Sequence, residues 1–98
     1  MQLFPAFLKL EGRRTVVVGG SAVAASKVRA LLDASADVVV VAPEVSANIK
    51  RAGVSVVQRA FEPADLDDAW LVVAAATPDV NRQVARAAEN RRVFVNAV

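Results

Sequence analysis

Valine sets the rhythm of this chain. Apolar runs at Val16-Val17-Val18, Val38-Val39-Val40-Val41, Val56-Val57 and Leu71-Val72-Val73 are separated by alanine-rich or polar stretches. The first run predicts a strand over Arg14–Val18 that is apolar on both faces, as a parallel strand covered by helices on either side requires. Each valine so buried contributes roughly 1.5–3 kcal/mol. Over Ser21–Ala34 the period changes: Ala24, Val28, Leu31 and Leu32 fall on one stripe, with Lys27 and Arg29 off it, which predicts a helix. A second strand is predicted over Asp37–Ala42, stopped by Pro43. A short helix over Val45–Ala52 is terminated by Gly53, and Val54–Arg59 reads as a third, more exposed strand. Glu62–Asp68 is polar and contains a proline, so it reads as a loop with solvated acids at Asp65, Asp67 and Asp68. Trp70–Ala75 is the fourth strand. Thr77-Pro78-Asp79 combines a hydroxyl cap, a proline at the first helical position and an acid in the first turn. The helix that follows has Val80, Val84, Ala87 and Ala88 on its apolar side, and Arg92–Val98 is the fifth strand.

Strands alternating with helices predict one α/β domain over residues 1–98. Right-handed crossovers favour a Rossmann-like, doubly wound parallel sheet in the order 3-2-1-4-5. In such sheets ligands bind beyond the carboxyl ends of the strands, where the strand order reverses. That rule gathers the turns at Gly19–Val23, Ala42–Glu44 and Ala75–Thr77 around one crevice.

The first of these turns carries the chemistry. Gly19, Gly20 and Ser21 join a buried strand directly to a helix. A helix start presents unpaired N–H groups and partial positive charge, which suits the pyrophosphate of a dinucleotide. In the G-x-G-x-x-G/A fingerprint, Gly19 and Ala24 take the first and last positions, while Ser21 stands where the second glycine belongs. Ser21 either narrows the approach to the phosphates or offers them its hydroxyl. Ala42-Pro43-Glu44 ends the second strand, and Glu44 reads either as the acid that reaches the adenosine ribose or as a surface acid at a helix start. No arginine sits beside it to take a 2′-phosphate, which favours NAD over NADP. Thr77 is first a helix cap and second a ligand contact. Asn81 reads as a helix-surface residue, and Asn96, late in an apolar strand, as a residue lining the crevice. Trp70 reads as a core or sheet-edge anchor. Ser35 follows the first helix where glycine normally relieves left-handed backbone, at a cost of about 1 kcal/mol.

Composition narrows the rest. The chain has 98 residues, 55% apolar and 22% charged, enough for a small core and too few charges for disorder. Twelve basic and ten acidic side chains leave a net charge of +2, too balanced to suggest a nucleic-acid partner, and Arg82, Arg86, Arg91 and Arg92 read as a solvated helix face. There is no cysteine and no histidine, so disulfides and thiolate nucleophiles are excluded, no metal site is expected, and acid–base chemistry falls to carboxylates or lysine. Neither a secretion signal nor a membrane-length apolar run is present, which together with the lack of cysteine leads us to expect a cytoplasmic protein.

Several segments together resemble a known family. They are Leu3-Phe4-Pro5, Val17-Val18-Gly19-Gly20 with Val23-Ala24, Lys27-x-Arg29-x-Leu31-Leu32, Val40-Val41-Ala42-Pro43, Asp67-x-Ala69-Trp70-Leu71-Val72-x-Ala74-Ala75-x-Thr77, Asn81, and Arg91-Arg92-x-Phe94-Val95-Asn96-x-Val98. In order and spacing, over essentially the whole chain, they resemble the N-terminal dinucleotide-binding portion of the siroheme synthase (precorrin-2 dehydrogenase/sirohydrochlorin ferrochelatase) family. The resemblance implies NAD-dependent oxidation of precorrin-2 to sirohydrochlorin, with Fe²⁺ insertion in many members and a homodimeric intact protein. Carried over by position, it implies NAD contacts at Ala22, Val23, Pro43 and Glu44. Ser21 departs from the family's third consecutive glycine, and Ser35 from its usual glycine. The family's catalytic aspartate directly follows the Asn-x-Val segment, here Asn96-Ala97-Val98, so no residue of this chain is assigned to catalysis. The expectation is an NAD-binding domain that is inactive alone; the alternative is a non-catalytic nucleotide-binding or sensor module.

Overall fold

The valine runs pair with one another. In the computed structural model, which describes all 98 residues, the strands are β1 (Arg14–Val18), β2 (Asp37–Val41), β3 (Ser55–Val57), β4 (Leu71–Ala74) and β5 (Phe94–Ala97). They form one parallel sheet in the order β3-β2-β1-β4-β5, as the alternation predicts. The register sets Val17 between Val40 and Val73. The helices are α1 (Ala22–Asp33), α2 (Ala47–Arg51) and α3 (Pro78–Arg91).

The two-sided apolar pattern of the central strands becomes two cores. On one face Val17, Val38, Val40 and Val73 pack with Ala24, Val28 and Leu31 of α1 and Ile49 of α2. On the other, Val16, Val18, Val41 and Val72 pack with Val84, Ala87 and Ala88 of α3. Successive strand residues therefore serve opposite layers. Ser35 has φ 61°, in the left-handed region expected of it, and Gly53 (φ 74°) follows α2 as its terminator.

Several expectations are corrected. Glu62–Asp68 is not a simple loop: Pro63–Leu66 form a 3-10 turn that inserts fully buried Leu66 into the α3 side of the core. Asp65 is not a solvated acid. Its side chain is only 9% exposed and takes a bidentate clasp from Arg59, at 2.6 and 2.9 Å. It also accepts the Glu62 N–H at 2.8 Å. Arg14, at the head of β1, donates to the Asp65 and Asp67 carbonyls, so the turn is tied to the sheet. Asp67 pairs with Arg91. Trp70 is neither core nor edge: it is half exposed just before internal strand β4, with the Arg13 guanidinium 4.0 Å above its ring. Arg92 belongs to no strand; it ends α3 in the left-handed conformation. Leu32 sits at the exposed margin of the α1 stripe.

The carboxyl end of the sheet is drawn together by the glycine pair. A β-carbon on Gly19 would lie 2.2 Å from the Ala75 carbonyl oxygen, and one on Gly20 would lie 1.8 Å from that of Glu44. The Gly19 N–H donates to the Val41 carbonyl (3.0 Å), and the Ser46 N–H to the Gly20 carbonyl (2.8 Å). The turn after β1 is thus latched to the turn after β2 and pressed against the one after β4.

Two outcomes follow from this packing. Gly20→Ala should lower stability by about 1–3 kcal/mol, since the neighbouring group is backbone and must shift as a unit; urea unfolding checks this. The hydrogen-bonded Arg59 guanidinium holds the Asp65 carboxyl below its ordinary value, a shift that burial opposes and the Glu62 N–H reinforces. A lowered folded-state value stabilises the fold above the unfolded-state value near 3.9, and that contribution is lost as pH falls through the folded one. Asp65→Asn should therefore cost about 1.5–3 kcal/mol at neutral pH. The gap between variant and wild type should close on acidification in urea titrations.

Candidate functional site

The three turns enclose a hollow of about 370 Å³ at the carboxyl ends of β1, β2 and β4. Its lining is Gly19, Gly20 and Ser21 from the first turn, Ala42, Pro43 and Glu44 from the second, and Ala75, Ala76 and Thr77 from the third. Strand order reverses at β1, which has β2 on one side and β4 on the other, so the hollow lies where the topology favours a ligand. A larger hollow of about 580 Å³ runs along α1 and α2 and is lined by helix and helix-cap residues alone, Arg29, Asp33 and Arg51 among them.

The start of α1 is open to the hollow. Ala25 makes the first helical bond, donating to the Ser21 carbonyl at 2.9 Å, so the Ala22, Val23 and Ala24 N–H groups lie ahead of the ladder. Ser21 is exposed and extended (φ −83°, ψ −177°), and its hydroxyl caps none of them. No acidic residue occupies the first turn. The other two helices differ. Ser46 Oγ accepts from Ile49 N–H, and Thr77 Oγ1 from Val80 N–H, both at 3.4 Å, and α3 carries Asp79 in its first turn. The partial positive charge of α1 is therefore the one left without a side-chain counterpart.

The expected site residues divide accordingly. Gly19, Gly20, Ser21, Pro43, Glu44 and Thr77 line the hollow together. Ala22 and Val23 do not line it: both are exposed in the first turn of α1, and Ala22 lines the larger hollow along α1 and α2 instead. Asn96 does not line the hollow: it lies on exposed edge strand β5, level with Val73. Asn81, expected on a helix surface, is half-buried and engages the third turn. Its Oδ1 accepts from Ala76 N–H (3.0 Å) and its Nδ2 donates to the Ala76 carbonyl (3.4 Å). Its position four residues past the Thr77 cap was the available signal, since a side chain there can fold back over the helix start.

A dinucleotide fits these features. The glycine pair removes the two β-carbons that would otherwise force the turns apart, and the amides ahead of the α1 ladder suit an anionic group. Glu44 is the single ionisable side chain in the lining.

Comparison with known proteins agrees with this geometry. Residues 6–98 match the family described as "Putative NAD(P)-binding". Siroheme synthase 2 of Cronobacter sakazakii is 43% identical over the whole of this chain, and the siroheme synthase of Pseudomonas entomophila 42%. The chain spans 22% of the length of each of these relatives. Among solved structures, the precorrin-2 dehydrogenase SirC superposes over 96% of this chain and 48% of its own, with a TM-score of 0.81 at 26% identity. The D-lactate dehydrogenase of Escherichia coli covers 92% of this chain and 29% of its own with a TM-score of 0.73; at 17% identity it shows a shared fold alone. With all but the first five residues matched, the chain belongs to the NAD(P)-binding family.

Proposed function

We propose that this chain is the cofactor-holding part of an NAD-dependent precorrin-2 dehydrogenase. The observation that carries the proposal is the uncapped start of α1 facing a hollow framed by the glycine pair. The likeness to siroheme synthases and to a precorrin-2 dehydrogenase supports the choice of reaction. When bound, NAD⁺ supplies the hydride acceptor.

The chain's own residues bind and orient. The Ala22 and Val23 amides hold the pyrophosphate. The Ser21 hydroxyl, free of any capping duty, donates to a phosphate oxygen. Glu44 accepts from the adenosine ribose hydroxyls and repels a 2′-phosphate, which favours NAD over NADP. Thr77 Oγ1 accepts the Val80 N–H and keeps its own O–H to donate into the hollow.

Oxidation of a tetrapyrrole also removes a proton from the macrocycle, and a positioned carboxylate is the natural base. Glu44 is committed to the ribose in this reading, Asp65 to Arg59, Asp67 to Arg91 and Asp79 to Arg82. In this reading the base is the aspartate that the family resemblance implies directly after the Asn96-Ala97-Val98 segment. The tetrapyrrole substrate, a homodimeric intact protein and a cytoplasmic location belong to the same proposal. No helix is long and apolar enough to cross a membrane. A second reading, a nucleotide-binding module without catalysis, is favoured by the lack of a free base in the hollow.

Calorimetric titration tests the cofactor site. Wild type should bind NAD⁺ more tightly than NADP⁺. Ser21→Asp should stabilise the fold by about 0.3–1 kcal/mol through the helix dipole while abolishing NAD⁺ binding, because the carboxylate occupies the anion's place. A variant that is stabilised and still binds would overturn the assignment. Incubated with precorrin-2 and NAD⁺, the chain should show no turnover; sirohydrochlorin formation, read by absorbance, would refute the placement of the base.

A further inference from the structure

We propose that Asn81 is a positioning residue that shapes the nicotinamide-nucleoside half of the hollow. The inference rests on the dinucleotide reading above and adds a division of labour within it. Strand order reverses at β1, so a pyrophosphate over the start of α1 sends one nucleoside over the end of β2 and the other over the end of β4. Glu44 marks the β2 side as the adenosine side. The β4 side, Ala75-Ala76-Thr77, then faces the nicotinamide nucleoside.

That wall has little side chain with which to define itself. Two of its three residues are alanines, so its shape is the path of its backbone. Asn81 fixes that path by bridging the two peptide units that flank the Ala76 Cα: its Oδ1 accepts the Ala76 N–H of the first and its Nδ2 donates to the Ala76 carbonyl of the second. Ala76 therefore presents the hollow with a methyl group, its own N–H and carbonyl both engaged by Asn81. Ala75 is held from the other side: its N–H donates to the Val18 carbonyl at 2.9 Å, and its carbonyl, in the same peptide unit as the Ala76 N–H, abuts Gly19. With Asn81 removed, the Ala76–Thr77 peptide unit loses its side-chain tie and is free to rotate and to reorient the Thr77 hydroxyl, while the Ala75–Ala76 unit stays packed against Gly19. The turns that hold the pyrophosphate and adenosine stay latched through Gly19 to Val41 and Ser46 to Gly20.

Calorimetry with two probes separates this role from general support of the fold. ADP carries the adenosine and the diphosphate but no nicotinamide nucleoside; NAD⁺ carries all three. Asn81→Leu, close in shape and unable to make either bond, should weaken NAD⁺ about five- to tenfold and leave ADP affinity unchanged. Asn81→Gln keeps an amide and a good helix former but displaces the group by one methylene, so it supplies a second folded variant and should show the same split. Equal weakening of both probes, or of neither, would overturn the positioning role and leave Asn81 as part of the α3 start. Binding of ADP but not NAD⁺ by wild type would also overturn it, while sparing the phosphate cradle. If wild type binds neither probe, the dinucleotide reading fails and the inference goes with it.

Discussion

Two missing β-carbons set the spacing of every turn at the working end of this sheet. With Gly19 against the Ala75 carbonyl and Gly20 against the Glu44 carbonyl, the chain leaving β1 passes between its neighbours at distances no other residue permits. Ordinary van der Waals contact would need well over an ångström more on each side. The hydrogen bonds from Gly19 to Val41 and from Ser46 to Gly20 depend on this approach, as does the aim of α1, whose first turn begins two residues later. The valine cores hold the sheet, but they are indifferent to what lies beyond its carboxyl end. The glycines convert a generic α/β sandwich into one with a narrow cradle at the crossover point.

Charge placement across the domain follows the same division. At the amino end of the sheet, charged groups are used up in structure: Arg14 on the carbonyls of the 3-10 turn, Arg13 on Trp70, and Asp67 on Arg91. Arg59 is likewise spent on Asp65. At the carboxyl end the hollow carries one ionisable side chain, Glu44, and a helix start with no acid in its first turn. An anion approaching the α1 amides meets main-chain dipoles with no arginine or lysine in the lining. Such a site discriminates by shape and hydrogen-bond direction more than by net charge.

The sheet was legible because its signals are local. Runs of valine, a proline after β2, and Thr77-Pro78-Asp79 before α3 each announce an element within a few residues, and the strand order follows from handedness. Six of the eight expected site residues line the hollow for the same reason: turn position alone predicts proximity once the sheet is parallel. The misses all turn on a side-chain contact or a place in the sheet that element periodicity does not encode. The capping box that holds Asp65 has Glu62 rather than a hydroxyl residue at its cap, and the Asp65 carboxylate is clasped by Arg59. Trp70 is displaced from the core because β4 starts one residue later and Arg13 is available to cover the ring. Asn96 has the right place along its strand for the crevice, but β5 is the edge, one strand too far from the crossover point. Asn81 was read by helix periodicity, which describes helix faces and says nothing about a side chain turning back onto the preceding loop.

The departure at Ser21 is best understood as a balance between helix and ligand. Serine is among the stronger capping residues, and capping by its hydroxyl is worth about 1 kcal/mol to a helix. Ser46 and Thr77 take that benefit; Ser21, in an extended conformation equally suited to it, does not. The chain therefore leaves the exposed Ala22 and Val23 amides and a hydroxyl without intrahelical partners at the helix start that follows the glycine pair. Solvation by water makes this inexpensive for the free protein, and an anion that displaces the water recovers several charge-assisted bonds at once. Binding at such a terminus stabilises the folded chain by mass action. A ligand bound there would restore part of the stability absent from the α1 cap. A glycine here would give the ligand the same amides but no hydroxyl, and would loosen the unbound turn. Serine, with its hydroxyl outside any capping bond, adds one donor beside the exposed amides.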